Sequence, residues 1–294
     1  MDANRQMTPF PTARLFTHEA MNTTFHLRIC EAAESTAHDM ARECCDHLDF
    51  LEARLSRFIE DSDVSLINRM QAGQTLYINE FTHECLLAAL DAYARTGGLF
   101  DITLGSRIEH RKSADSGPVP PLTGQLTIHP DVPAVTCGAP GREIDLGGIG
   151  KGFALDQLRR LLLDWGADGG LLTAGASSML AFGPHAWPIE LTGDRDSERI
   201  ALFCQSLSAS GTAIQGSHII HPAGETAMPS EPCRRVWVTA PTATLAEIWS
   251  TALMLVEPGE IANFIAGEET IGTVHLQIHD RPVLLSHAIG DCRS

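Results

Sequence analysis

Residues 143–156 read E-I-D-L-G-G-I-G-K-G-F-A-L-D, and this stretch restricts the fold of the chain more than any other. Asp145, four glycines (Gly147, Gly148, Gly150, Gly152) and Lys151 fall close together, and an amphipathic pattern follows directly. Ala154, Leu158, Leu161, Leu162 and Trp165 recur at helical spacing, so the glycine-rich turn opens a helix of about four turns. Glycines let the backbone approach a ligand and take positive φ, and the first amides of a helix have no intrahelical acceptor. Such a turn suits a phosphate, with the lysine adding a point charge. The chain has only two lysines, Lys112 and Lys151, against nineteen arginines, so a lysine at this point runs against its habit. The order G-G-x-G-x-G is not the dinucleotide fingerprint, and no Ser or Thr follows the lysine as in a Walker loop. By itself the turn also reads as a tight strand-to-helix connection whose glycines serve packing.

With 294 residues, 44% hydrophobic and 20% charged, the chain has ample material for a core. A net charge of −16 argues against general nucleic-acid binding and means that an anionic ligand needs a local cation. No apolar run approaches the roughly 18 residues that span a bilayer, and the N-terminus lacks a basic region followed by an apolar core. The expectation is a cytoplasmic protein with no nucleic-acid partner and no membrane insertion. Eight cysteines include no C-x-x-C pair and the thirteen histidines no H-E-x-x-H, so reduced, buried thiols are expected.

Phe25, Leu27 and Ile29 alternate as a strand, and Met40, Cys44, Leu48, Leu51 and Leu55 mark one face of a long helix. Asp61 and Ser62 read as a turn or cap before a short second helix. A third covers about 81–95 and ends at Gly97-Gly98. Residues 111–134, rich in Pro, Gly and Ser, read as a long loop or internal boundary. Strands are expected at 171–182, 187–192, 199–205 and 235–239, a helix at 242–256, and a closing hairpin from 274–278 and 282–285. Strands and helices without strict β-α-β alternation indicate an α+β fold.

Three further stretches join the glycine turn: T-G-G-L-F-D-I-T at 96–103, S-G-T-A-I-Q-G-S-H-I-I-H-P-A-G at 210–224 and A-E-I-W-S-T-A-L at 246–253. Together with D-L-G-G-I-G-K-G-F-A-L-D they resemble, in order, the ApbE family of FAD:protein FMN transferases. The early M-N-T and L-S-R-F-I-E-D-S-D-V-S-L-I-N-R are similar to that family's M-G-T and L-S-x-Y/F segments. The resemblance covers about residues 20–265. It implies an N-terminal extension over 1–19, a transferase domain over 20–294, and a T-fold-like architecture of two related mixed lobes with the flavin site between them.

The resemblance further implies a magnesium-dependent enzyme; the extra methylene of Glu247 makes manganese the alternative ion. The enzyme would cleave FAD and move FMN onto a Thr or Ser hydroxyl of an acceptor protein, releasing AMP. FAD hydrolysis, or FAD binding without catalysis, is the alternative. Met21, Phe58, Leu99, Phe100 and Asp101 match positions lining the flavin site; Asp145, Lys151 and Ile220 match further flavin-nucleotide contacts. The metal would be held by Gly148 through its carbonyl, Glu247 and Thr251, and His218 would move the proton. The residue types suit the chemistry. Pyrophosphate charge calls for a hard cation with oxygen ligands, and an attacking hydroxyl needs a positioned base near neutral pH.

Departures from the family pattern are concrete. Glu247 stands where the family has Asp, His221 replaces the acid of H-I-I-D-P, and A-G-A-S-S at 174–178 replaces a glycine-glycine-acid segment. Glu247 also lies three residues after Thr244, the spacing of a capping box, which would make it structural.

Overall fold

The computed structural model describes residues 12–30, 32–113, 117–194, 196–211, 219–278 and 282–285. Its main sheet has eight strands in the order β1-β2-β6-β7-β10-β11-β12-β13, every pair antiparallel. The strands are β1 (Ala13–Ala20), β2 (Thr23–Cys30), β6 (Gly170–Ala174), β7 (Ser178–Phe182), β10 (Ser206–Gly211), β11 (Arg235–Ala240), β12 (Val274–Gln277) and β13 (Pro282–Leu285). β3 (Thr75–Tyr77), β4 (Gln125–Ile128) and β5 (Ala134–Ala139) form a small second sheet, and β8 (Trp187–Thr192) pairs with β9 (Ser197–Leu202). The helices are α1 (Glu34–Leu55), α2 (Asp63–Asn68), α3 (Glu80–Arg95), α4 (Gly105–Lys112), α5 (Gly150–Asp164), α6 (Ala243–Leu253) and α7 (Ile261–Phe264). Mixed helices and an antiparallel sheet give the α+β class that the pattern predicts. No helix among the described residues is long and apolar enough to cross a membrane.

α5 packs on β6 and β7, and α6 on β7, β10 and β11, so the two helices lie side by side on one face of the sheet. Strand alternation explains why both faces are covered. In β6, Leu172 and Ala174 join the main core with α1 and α5, while Leu171 turns to a separate cluster. There it meets Trp187, Ile189 and Leu191, the buried alternate residues of β8. A third cluster, around Val236, Val238, Trp249 and Leu253, seats α6 against β11.

Local chemistry sets the helix ends. Ser62 Oγ accepts the Ser65 amide and Asn79 Oδ1 the Phe81 amide, the side-chain caps of α2 and α3. α3 ends at Gly97 and Gly98, both at positive φ, with the Gly98 amide returning to the Tyr93 carbonyl at 2.8 Å.

Three expectations are corrected. The single strand read over 171–182 is a hairpin, because Gly175 takes φ 57 between β6 and β7 and a Cβ there would stand 2.6 Å from Thr23 Oγ1. The strand read over 199–205 ends at Leu202, and β10 starts at Ser206. The stretch 111–134 is not one long loop, since β4 lies inside it and pairs with β5. β1 begins at Ala13, within the stretch read as an extension, and is in register with β2 from Ala13↔Cys30 to Ala20↔Thr23.

Candidate active site

The starts of α5 and α6 brace each other through two carboxylates. Glu247, one turn into α6, accepts the Gly152 amide on Oε2 at 2.9 Å. Asp156, on α5, accepts the amides of Ala243 and Thr244, both at 2.9 Å, and the Thr244 hydroxyl. Each acid satisfies amides that its neighbour's first turn leaves without intrahelical partners. The contact is close: a Cβ at Gly152 would lie 2.4 Å from the Ala243 carbonyl oxygen. Glycine at 152 is therefore a packing requirement of this helix pair.

This arrangement removes the capping-box reading of Glu247. The cap of α6 is Thr242, whose Oγ1 accepts the Leu245 amide at 3.2 Å, two residues before the Thr244 that the capping-box spacing suggests. Glu247 turns away from its own helix start. Its Oε1 meets Lys151 Nζ at 2.9 Å and accepts the Ser178 hydroxyl at 2.5 Å. Its side chain is only 4% exposed. Lys151 and Glu247, expected on a phosphate and on a metal, are thus ion-paired with each other.

Gly148 lies within the same cluster. A Cβ there would stand 3.2 Å from Phe100 Cε2 and 3.6 Å from Thr251 Oγ1, so the missing side chain leaves a small cradle between turn, ring and hydroxyl. Thr251 Oγ1 is 3.3 Å from Ser210 Oγ, which is 2.9 Å from Ser250 Oγ. Hydroxyl, backbone carbonyl and one carboxylate are hard oxygen donors of the kind magnesium prefers. The donor types fit such an ion, and Glu247 Oε2 retains one lone pair beyond its bond to Gly152. Among the described residues no group of three or more His, Cys, Asp or Glu could hold a metal, so no zinc-type donor set accompanies it.

A second set of contacts organises the approach to the glycine turn. Arg57, unmarked by the sequence reading although it lies in L-S-R-F, donates to Asp145 Oδ2 at 2.9 Å and to the Gly105 carbonyl at 3.0 Å. It also pairs with Glu143 at 3.5 Å. Asp145 Oδ1 accepts the Gly147 amide at 2.8 Å, which fixes the entry to the turn. The Arg57 guanidinium sits 5.5 Å from the centroid of the Phe58 ring, and Phe58 is 76% exposed, an aromatic face open to a planar ligand. Asp101 Oδ1 accepts the amide and hydroxyl of Thr103, and its Oδ2 lies 3.6 Å from Arg142 Nη1. Each of the three expected acids therefore already holds a cation and an amide or hydroxyl.

Leu99 packs against two of the clusters, and Phe100 is buried with its amide held by Thr96 Oγ1. Met21 and Asn22 form the β1–β2 turn with φ 51 and 56, as a two-residue hairpin turn requires, and Met21 packs on the main core. Ile220 lies in a segment tethered to α4, where Arg111 donates to the Ile219 carbonyl and Arg107 to the Pro222 carbonyl. His218 lies outside the described residues. His221 Nδ1 accepts the Ala223 amide at 3.1 Å, and partial burial lowers its pKa below the usual 6.5. Below the site, burial first and then the charges of Glu247 and Glu84 push the Cys85 thiol up, which leaves it protonated and inert. A groove of about 420 Å³ between α3, α5 and α6 is lined by Glu84, Asp156, Gln157 and Arg160 and holds none of the predicted site residues.

The fold and this site define an α+β protein with a glycine turn, an oxygen-donor cluster and an exposed aromatic at its approach. The chain belongs to the ApbE family, whose model matches residues 21–274. It is 24% identical over 296 residues to the FAD:protein FMN transferase of Salmonella typhimurium, covering 86% of this chain and 81% of that one. The FAD:protein FMN transferase of Klebsiella pneumoniae is 22% identical over 297 residues, covering 87% and 82%. Among solved structures, the apo flavinyl transferase ApbE of Pseudomonas stutzeri superposes with a TM-score of 0.79 at 21% identity, over 95% of this chain and 96% of that one. The flavin transferase ApbE of Vibrio cholerae gives 0.79 at 19%, over 94% and 98%. At these identities the structural likeness establishes the fold.

Proposed function

We propose that this chain transfers FMN from FAD to a threonine or serine hydroxyl of an acceptor protein, with magnesium or manganese as the required ion, and releases AMP. The observation that carries this reading is the convergence of Gly148, Lys151, Glu247 and Thr251 where α5 and α6 meet. The activity printed for the relatives from Salmonella typhimurium and Klebsiella pneumoniae supports it.

In this reading the acceptor oxygen bonds to the phosphorus of the FMN half, the bond to the AMP phosphate breaks, and the hydroxyl proton leaves to a base. Gly148, Glu247 and Thr251 would hold the ion, which supplies charge neutralisation at the pyrophosphate. Phe58 and Phe100 would line the flavin site, and Asp145, held by Arg57 and the Gly147 amide, fixes the glycine turn that would face the phosphates. Lys151 contributes a cation against the charge that builds on departing AMP. His218, two residues before Ile220 in H-I-I-H-P, takes the hydroxyl proton.

Chromatographic assay of AMP tests the reaction class. AMP formed only when FAD, the ion and an acceptor peptide are all present supports transfer. AMP formed at the same rate without acceptor identifies hydrolysis, and no AMP identifies a binding protein.

A further inference from the structure

A chain with nineteen arginines and two lysines places one lysine against its most buried site carboxylate. A carboxylate offers about four lone-pair directions. Glu247 spends two on Lys151 and Ser178 through Oε1 and one on the Gly152 amide through Oε2. The ammonium already balances the charge on which a cation would depend. Gly148 and Thr251, the neighbouring oxygen donors, carry no compensating charge of their own.

We propose that Lys151 and a divalent cation compete for Glu247, so that cation binding releases Lys151 toward the pyrophosphate. The proposal rests on the functional reading above for the nature of the ion and the anion. Two cations on one nearly dry carboxylate repel each other, and the one that leaves must be the one with somewhere to go. Lys151 is 22% exposed and ends a flexible four-carbon stem, whereas the Gly152 and Ser178 donors are fixed by α5 and β7. Without the ion, the pair keeps a carboxylate that is 4% exposed from standing uncompensated. With the ion, Lys151 becomes free to bond an anion at the turn. By linkage, ion and pyrophosphate then strengthen each other's binding through this one side chain, in addition to their direct attraction.

The chain's composition permits a direct readout on the unaltered sequence. Reductive methylation with ¹³C keeps the lysine charge and yields two lysine signals beside that of the α-amino group, and a Lys112→Arg variant assigns them. Titration with magnesium chloride, without FAD or acceptor, is expected to shift the Lys151 signal and leave Lys112 in place. A Lys151 signal unmoved by magnesium overturns the proposal. In parallel, electron paramagnetic resonance of free manganese is expected to show Lys151→Met binding Mn2+ about tenfold or more tightly than the parent, with Glu247→Gln losing the site. Equal or weaker Mn2+ binding by Lys151→Met, in protein shown by circular dichroism to be folded, overturns it as well. Neither readout needs FMN transfer, so failure of the functional reading and failure of this inference remain distinguishable.

Discussion

Glu247→Gln removes one charge and almost no volume, so its cost reports what the carboxylate holds. Lys151 would lose its partner at 2.9 Å, and one amide oxygen would replace two carboxylate oxygens in receiving the Gly152 amide and the Ser178 hydroxyl. Breaking a fully buried pair costs about 3–5 kcal/mol. Lys151 keeps 22% of its side-chain surface in solvent, so part of that loss is recovered by hydration. A buried donor left unsatisfied adds about 1–3 kcal/mol. The net expectation is a loss of about 2–4 kcal/mol. It is read as a lower urea midpoint at unchanged m-value. A capping-box glutamate would behave differently, because Gln serves equally at that position. A loss below about 0.5 kcal/mol, the range of an ordinary surface change, would refute the claim that Glu247 ties α6 to the glycine turn.

Gly152→Ala is expected to cost about 3 kcal/mol or more, the upper end of overpacking, because the new methyl would stand 2.4 Å from the Ala243 carbonyl oxygen, a backbone atom that cannot rotate away; a variant with the parent's urea midpoint would show that the helices separate cheaply. His218→Ala should slow transfer by about two to four orders of magnitude while FAD affinity, followed by fluorescence, stays close to the parent's; transfer at the parent rate removes His218 from the reaction. Acid should remove a small part of the stability through His221. Its folded pKa lies below 6.5, so the unfolded chain binds more protons in the window beneath 6.5, and the contribution is complete above that pH and lost as pH falls through it. His221→Gln should flatten that part of the curve of stability against pH, and an unchanged slope would count against a lowered pKa at His221.

What the sequence disclosed and what it hid follow from the range of the forces. α1, α3 and α5 carry apolar residues at helical spacing on their buried faces, and that periodicity is legible within one window. β1 stands at the edge of the sheet, where only alternate residues are partly covered, and β10 reads S-L-S-A-S-G, so neither shows the β-branched alternation of an ordinary strand. Gly148, Phe100, Lys151, Glu247 and Thr251, which the family resemblance names, lie near one another in the fold. The partners of their charges were not legible. Arg57 reaches Asp145 across 88 positions and Glu247 reaches Gly152 across 95, contacts that exist only after the sheet has folded. Asp156 closes the motif stretch in plain view, but its target is the start of a helix 87 positions on. Local spacing favoured Thr244 as the cap of α6; the observed cap is Thr242, because Asp156 takes the amide and hydroxyl of Thr244 for itself.

The most direct measurement is the mass of an acceptor peptide carrying an S/T-G-A-T-type sequence after incubation with the protein, FAD and magnesium. A gain equal to one FMN on the Thr or Ser, absent without the ion and with Glu247→Gln, is the expected result. An unmodified peptide, from protein that binds FAD under the same conditions, would contradict FMN transfer by this chain.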